Sequence, residues 1–430
     1  MISLDDRLTP TRAPLTPPRL RAVARALRAG GPGLLRVSPA NRIAALDRVA
    51  ASWLAPDSVW HRRALAELPI STGHAPATIE IALGNLWAAL RAPHLSAVYE
   101  REHVDSATQP LPGLALHVLA GNVPGVGIFG IVAALLAGVP SLVKPAAREP
   151  FLPGIFVESV NAVAPELGRA VAVTPWRGGT ADLDTVAVDE ADLVLAYGRD
   201  DTLDRLALRQ PRRFVRYGER LSVALVGRSA RTPATAAALA RQVALFDQQG
   251  CLSPQVACVE ETSQAETDRF AALVADELAE LEQRLPRATP TLAESAATWR
   301  FLERERWRAQ EGDPVTVHGG HAGAGSVVCV RGGAWPMSPT FRHLILLPVS
   351  TLRAAAATLQ RVAGMVEAVG YAGPATELGD AAEVAAAVGA HRLCPLERMQ
   401  APPFAWRQSG HARLGSILGH VGGDAPPTFA

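Results

Sequence analysis

The chain has almost no lysine. Across 430 residues there is one, Lys144, so 41 of the 42 basic side chains are arginine. A compact ammonium on a thin stem fits where a planar guanidinium fork does not, so a lysine kept at 144 points to a tight, specific contact; chance survival is the plain alternative. Cysteine is also scarce. The four, at 251, 258, 329 and 394, form no CxxC pair and have no clustered histidines beside them. That argues against a zinc site and a disulfide framework, and favours a reducing cytosol. Net charge is nearly absent, with 42 basic against 41 acidic residues, so no field gathers nucleic acid or an anionic membrane surface. The first 18 residues carry Asp5, Asp6, Arg7, Arg12 and four prolines, which is not the apolar core of a signal peptide, and no export is expected. An uninterrupted apolar run is missing as well. From Leu114 to Val143 there is no charge, but Gly121, Asn122, Pro124, Gly125, Gly127 and Gly130 break the first half and Gly138-Val-Pro140 ends it. A membrane span needs ~20 continuous apolar residues, so none is expected.

What is present suits neutral small-molecule chemistry in a chain long enough for two main domains and a cofactor cleft. Apolar residues at three- and four-residue spacing predict helices over Arg19 to Arg28, Asn41 to Trp53, Trp60 to Leu68 and Ala77 to Leu90. The arginines at 7, 12, 19, 21, 25 and 28 read as a solvated face. After Tyr99 the pattern tightens toward strands. Leu114 to Leu119, a glycine-rich turn, a helix over about Ile128 to Ala137 and a strand over Ser141 to Lys144 form a βαβ unit of a doubly wound sheet. Helices at Leu152 to Val163, near Asp182 and at Asp201 to Arg209 alternate with strands at Ala170 to Thr174 and Leu193 to Tyr197. These complete a Rossmann-like half. Strand Leu221 to Val226 leads into a second α/β domain. It carries helices from Thr232 to about Phe246, Glu266 to Arg284, Glu294 to Gln310 and Thr351 to Ala363, and strands at Gln255 to Glu260, Ser326 to Val330 and Leu344 to Pro348. Gly319 to Gly325 reads as a mobile loop, and no fixed-period repeat occurs.

Cys251 stands where a helix has ended and a strand has not begun, beside Gly250, which removes bulk where a substrate would approach. A free thiol there suits acyl transfer, although the usual fate of a lone cysteine is a small core hydrophobe. Cys258, Cys329 and Cys394 fit that usual fate. Asn122 follows a strand end, where its amide is placed to donate to an oxyanion or merely to tolerate a turn. His117, in the strand before it, reads as structural. Gly125, Gly127 and Gly130 have GxGxxG spacing, but no acid stands about twenty residues on at a strand end; Lys144 takes that place.

Five separated tracts together resemble the LuxC-type acyl-CoA reductase branch of the aldehyde dehydrogenase superfamily, the fatty-acid reductase of bacterial luminescence. They are His117-Val-Leu-Ala-Gly-Asn-Val-Pro124, Leu142-Val-Lys-Pro145, Ala196-Tyr-Gly-Arg-Asp-Asp201, Phe246-Asp-Gln-Gln-Gly-Cys-Leu-Ser-Pro-Gln255 and Cys394-Pro-Leu-Glu-Arg-Met-Gln-Ala-Pro-Pro-Phe-Ala-Trp406. The resemblance implies an aldehyde dehydrogenase-like α/β fold. Residues 1–220 would be a helical segment and a Rossmann-like cofactor domain, 221–405 the catalytic α/β domain, and 406–430 a bridging tail. It implies Cys251 as nucleophile, Asn122 with the Cys251 N–H as oxyanion cradle, Lys144 on the adenosine ribose, and Gly198 and Arg199 near the pyrophosphate. Gly178 and Gly179 are expected beside the cofactor too.

Departures from the family pattern shape the expected chemistry. Where hydrolytic relatives carry a glutamate base, this chain reads Arg216-Tyr-Gly-Glu-Arg-Leu-Ser222, with Glu219 as the one stand-in. Slow hydrolysis favours acyl-thioester chemistry. The acid often found three places after the lysine is Ala147, with Arg148 beside it, which suits NADPH over NADH because an acid there would repel a 2′-phosphate. The family's tract for the nicotinamide ribose is not recognisable near Pro336 to Pro339. The implied reaction is reduction of an acyl-CoA or carrier-bound thioester to an aldehyde through an acyl-cysteine. The alternatives are NAD-dependent aldehyde oxidation and an idle scaffold for an acyltransferase or ligase partner. A cytoplasmic homo-oligomer is implied, with Tyr99 to Pro112 and the tail from Leu414 as interface pieces.

Overall fold

A computed structural model of the chain describes residues 15–102, 110–419 and 428–429. Five helices lead in: Pro17–Arg36, Pro39–Leu54, Val59–Thr72, Pro76–Ala88 and Ala92–Glu102. Thr16, Ser38 and Ser58 cap the first three with side-chain oxygens. The last of the five was not foreseen, because only Leu95 and Val98 mark its apolar face. The stretch after it, 103–109, lies outside the described residues.

The first sheet is parallel, in the order β3-β2-β1-β4-β5, from strands β1 (Ala115–Val118), β2 (Ser141–Lys144), β3 (Val171–Val173), β4 (Leu193–Tyr197) and β5 (Phe214–Tyr217). This is the doubly wound order, with its switch between β1 and β4. One face is covered by helices Ile128–Ala137 and Leu152–Val163 together with the N-terminal helices. The other is covered by Pro17–Arg36 and Ala181–Glu190. Every residue of Ile128–Ala137 is buried, which explains its uncharged sequence without any membrane; no helix among the described residues is long and apolar enough to cross one. The arginine face of the first helix is partly tethered rather than simply solvated. Arg28 bonds Asp192 at 2.7 Å and the Glu190 carbonyl at 2.7 Å, and Arg21 pairs with Glu190 at 3.2 Å.

The second sheet has eight strands in the order β13-β12-β11-β6-β7-β10-β9-β8. They are β6 (Leu221–Val226), β7 (Pro254–Glu260), β8 (Val315–Gly319), β9 (Ser326–Val330), β10 (His343–Val349), β11 (Val366–Ala372), β12 (Arg392–Pro395) and β13 (Thr428–Phe429). All pairs are parallel except β8 with β9. The expected mobile loop at Gly319 to Gly325 is the closed end of that antiparallel pair, where Gly320 N–H bonds the Gly325 carbonyl at 2.9 Å. The expected helix over 351–363 is instead broken into short turns. The Trp335 indole takes the Thr358 carbonyl at 3.2 Å, and Val362 N–H turns back to Leu359 at 2.9 Å. As far as it is described, the tail from Leu414 packs on the chain itself: Leu414, Ile417 and Leu418 are buried in the first core, and the Glu102 carboxylate accepts Leu414 N–H at 2.7 Å.

The two sheets are joined by three residues, Gly218 to Arg220, between β5 and β6. The carboxyl edge of the first sheet therefore meets the amino edge of the second.

Candidate active site

The Cys251 loop is made by a forced turn. Helix Pro233–Ala244 does not run on to Phe246: Phe246, Asp247 and Gln248 all take positive φ, at 56°, 51° and 59°. A left-handed run of non-glycine residues is costly and needs outside support. Asp247 supplies it, because its carboxylate bonds Arg342 at 2.8 Å and Ala288 N–H at 3.0 Å, and its own carbonyl accepts Phe341 N–H at 2.8 Å. The turn delivers Gly250 and Cys251 to the start of β7. A Cβ on Gly250 would lie 3.0 Å from Val123 of the first domain, so this glycine permits close approach of the two lobes.

Cys251 is half-buried against Leu252, Ala368 and Trp406. It is neither open in a cleft nor packed away like Cys258, Cys329 and Cys394, which are buried in strands. Burial pushes its thiol pKa up, and the nearby Glu367 carboxylate adds to the shift. Its carbonyl accepts the Ser222 hydroxyl at 2.7 Å, and the Ser222 hydroxyl oxygen in turn accepts Ala368 N–H at 3.1 Å.

Asn122 reaches across from the turn after β1. Its Nδ2 donates to the Gln249 carbonyl at 2.5 Å, two residues before the sulfur-bearing residue, and its own carbonyl lies 3.1 Å from His74 Nε2. An amide nitrogen carries two N–H donors, so one remains for another acceptor. His117 is fully buried against Ser141 Oγ at 3.1 Å, and burial lowers its pKa to about 3.

Lys144 ends β2 with its stem buried and its ammonium 5.6 Å from the Trp176 ring centroid. Among the described residues its Nζ has no hydrogen-bond or ion-pair partner, and burial lowers its pKa. Asp184 favours its charged form, and an ammonium kept from full hydration gains from an added ligand oxygen. Gly178 leaves room beside it, where a Cβ would stand 3.7 Å from Nζ. Gly179, at φ 85°, has open space where a Cβ would be, and Asp184 fixes this loop by accepting Trp176 Nε1 at 2.8 Å and Gly179 N–H at 3.0 Å. These residues fit a nucleotide. Gly198 and Arg199 fit less well, since the helix they precede opens with Asp200 and Asp201, and Arg199 is spent partly on Asp201 at 3.3 Å. The glycines at 125, 127 and 130 answer to packing: a Cβ on each would come within 2.8, 2.3 and 2.9 Å of Leu86, Leu119 and the Tyr197 hydroxyl.

Glu219 is exposed, with its N–H facing Asp200 at 3.4 Å, and is not among the groups acting on Cys251. The carboxylate that does act is Glu367, fully buried in β11 and unforeseen. Its signal was a lone charge in the apolar run Met365-Val-Glu-Ala-Val-Gly-Tyr371. Arg220 was also missed; it bonds the Gly364 carbonyl and favours the charged forms of both Cys251 and Glu367. Among the described residues no cluster of side chains could hold a metal ion.

This arrangement is carried by an aldehyde dehydrogenase fold. Aldehyde dehydrogenase 21 from Physcomitrella patens superposes with a TM-score of 0.70 at 16% identity, over 94% of this chain and 89% of that one. Aldehyde dehydrogenase C from Pseudomonas syringae, solved with NAD+ and octanal, gives 0.66 at 15% identity over 89% and 81%. The chain belongs to the acyl-CoA reductase (LuxC) family, whose pattern it matches over residues 36–415. It is similar to long-chain acyl-protein thioester reductase 2 of Photobacterium leiognathi, at 27% identity over 47% of this chain and 43% of that protein. It is also similar to the long-chain acyl-protein thioester reductase of Aliivibrio fischeri, at 28% over 33% and 31%. The aligned parts thus span less than half the length of these relatives.

Proposed function

We propose that the chain reduces an acyl thioester, on coenzyme A or a carrier, to the aldehyde through an acyl-enzyme on Cys251, with NADPH as reductant. The observation that carries this reading is the half-buried Cys251, walled by Leu252, Ala368 and Trp406, on a loop that Asn122 grips from the other lobe. The apolar wall suits an acyl chain and keeps water from the acyl-enzyme. Attack by the sulfur puts negative charge on the carbonyl oxygen, which the free Asn122 N–H and the Cys251 N–H stabilise; losing one such donor typically costs ~10²–10³ in rate. A bound nicotinamide supplies the hydride that takes the acyl group to the aldehyde level.

Lys144, Gly178 and Gly179 are the residues proposed to hold the adenosine side, with Gly198 and Arg199 toward the pyrophosphate. Two features support NADPH over NADH. Ala147, three places after Lys144, carries no charge, and Glu149 is turned inward, capping the next helix through Phe151 and Leu152 N–H at 3.2 and 2.8 Å. No carboxylate from this turn then opposes a 2′-phosphate. Replacing Cys251→Ala is expected to abolish thioester-dependent NADPH consumption with the fold intact; retained turnover contradicts the proposal.

A further inference from the structure

The proposed chemistry has a difficulty that the structure itself raises. Burial and a neighbouring carboxylate hold the Cys251 thiol protonated at neutral pH, whereas the thiolate is the nucleophile. The base of hydrolytic relatives is absent from the Arg216 to Ser222 tract, and exposed Glu219 does not replace it.

The register of β11 brings another carboxyl to the site. Val366 pairs with Leu221 and Val369 with Val223, so two residues, Glu367 and Ala368, stand opposite the single Ser222. Val366 and Val369 both enter the same apolar cluster on one side of the sheet. The bulge therefore sends Glu367 and Ala368 together to the other side, and Ala368 packs against Cys251 there. Without the extra residue, strand alternation would put one of them on the wrong face. Glu367 is held in place: Ser409 N–H bonds both its oxygens at 2.9 and 3.2 Å, and Ser409 takes φ 50° to do so. The Ser409 hydroxyl stands 3.4 Å from Oε2 and the Trp406 indole lies against the carboxyl, so at most one lone pair is left for another donor. The titratable and charged groups around it are Cys251, Arg220, His391, Tyr217 and Arg392. Of these, Arg392 donates its two terminal nitrogens to the Arg398, Met399 and Ala401 carbonyls, and its Nε has no hydrogen-bond partner among the described residues. Burial lifts the Glu367 carboxyl to about 7, close to the ideal for a group that must both take and give a proton at neutral pH.

We propose that Glu367 is the proton carrier of Cys251. As the sulfur–carbon bond forms, the thiol proton passes to the Glu367 carboxylate; as the carbon–sulfur bond to the leaving group breaks, the same proton goes to the departing thiolate. Acylation is then proton-neutral overall and leaves Glu367 ionised. The inference rests on Cys251 being the nucleophile.

The test is acylation of Cys251 by an acyl-CoA in the absence of any nicotinamide, followed by intact mass against pH from 5.5 to 9. The wild type is expected to acylate faster as pH rises through about 7 and then level off. Glu367→Gln is expected to slow acylation by ~10²-fold or more and to lose the inflection, while Glu367→Asp restores part of both. An unchanged rate and inflection in Glu367→Gln overturn the proposal. If that variant does not fold, the wild-type profile decides: a rate that climbs without levelling across the range overturns it as well. No adduct on wild-type Cys251 with any thioester removes the nucleophile itself, a separate failure that takes this inference with it.

Discussion

Asp247 and Arg342 meet at 2.8 Å with each side chain all but excluded from solvent, and each belongs to a run of three consecutive left-handed residues, 246–248 and 340–342. The pair locks two costly turns against each other. His74 extends the link, standing 3.6 Å from Asp247 Oδ2 and 3.1 Å from the Asn122 carbonyl. The shape of the cysteine loop thus depends on a buried ion pair some way from the sulfur.

Asp247→Ala leaves the buried Arg342 guanidinium with only Glu282, at 3.1 Å, and the Leu285 carbonyl, at 2.6 Å, as partners. Breaking one side of a buried pair typically costs about 3–5 kcal/mol, and the left-handed turn loses its anchor. A fall of that size is expected in urea unfolding, along with slower alkylation or acylation of Cys251. An unchanged midpoint would show that the turn holds itself.

Lys144→Ala is expected to weaken NADPH binding roughly tenfold to a hundredfold, the size of a charge-assisted hydrogen bond of about 1.5–3 kcal/mol, without lowering thermal stability. Equilibrium dialysis measures it. Lys144→Arg should not restore affinity, since the wider fork must fit between Trp176 and Gly178. Arg148→Ala separates the cofactors, weakening NADPH and leaving NADH unchanged.

Stability should fall as pH rises from 6.5 to 8. Burial lifts Glu149 to about 8 and Glu367 to about 7, so in this window the folded chain keeps protons that the unfolded chain has released. Their contribution is complete below the unfolded value of 4.5 and is lost as pH passes through the folded values. His117, His343 and His391, lowered to about 3, 4 and 4, act in the opposite sense, but only below about 6.5. Urea midpoints at the two pH values check the sign, and Glu149→Gln should flatten the slope. A slope left as steep as the wild type's contradicts the assignment to Glu149, since only the Glu367 share should remain.

The cofactor half of the fold was legible because strict local patterns govern it. The βαβ unit over 114–144 alternates strand, glycine turn and helix with no charged residue before Lys144, and helix Ile128–Ala137 and strand β2 fall where the pattern put them. Strands β5, β8, β11, β12 and β13 were not read. Each is two to seven residues long, and β5 and β12 carry arginines: Arg216 reaches Asp204 and Arg392 reaches backbone carbonyls. Glu367 was illegible for a related reason: its face is set by a bulge, a property of pairing between β6 and β11. The left-handed turn at 246–248 is likewise imposed by Arg342, 95 residues away.

The most direct measurement is the intact mass of the protein after incubation with an acyl-CoA series and no nicotinamide, with peptide mapping of the product. One acyl group on Cys251, discharged as aldehyde when NADPH is added, is the expected result. A protein that stays unmodified with every thioester, or that carries the acyl group on another residue, contradicts the account.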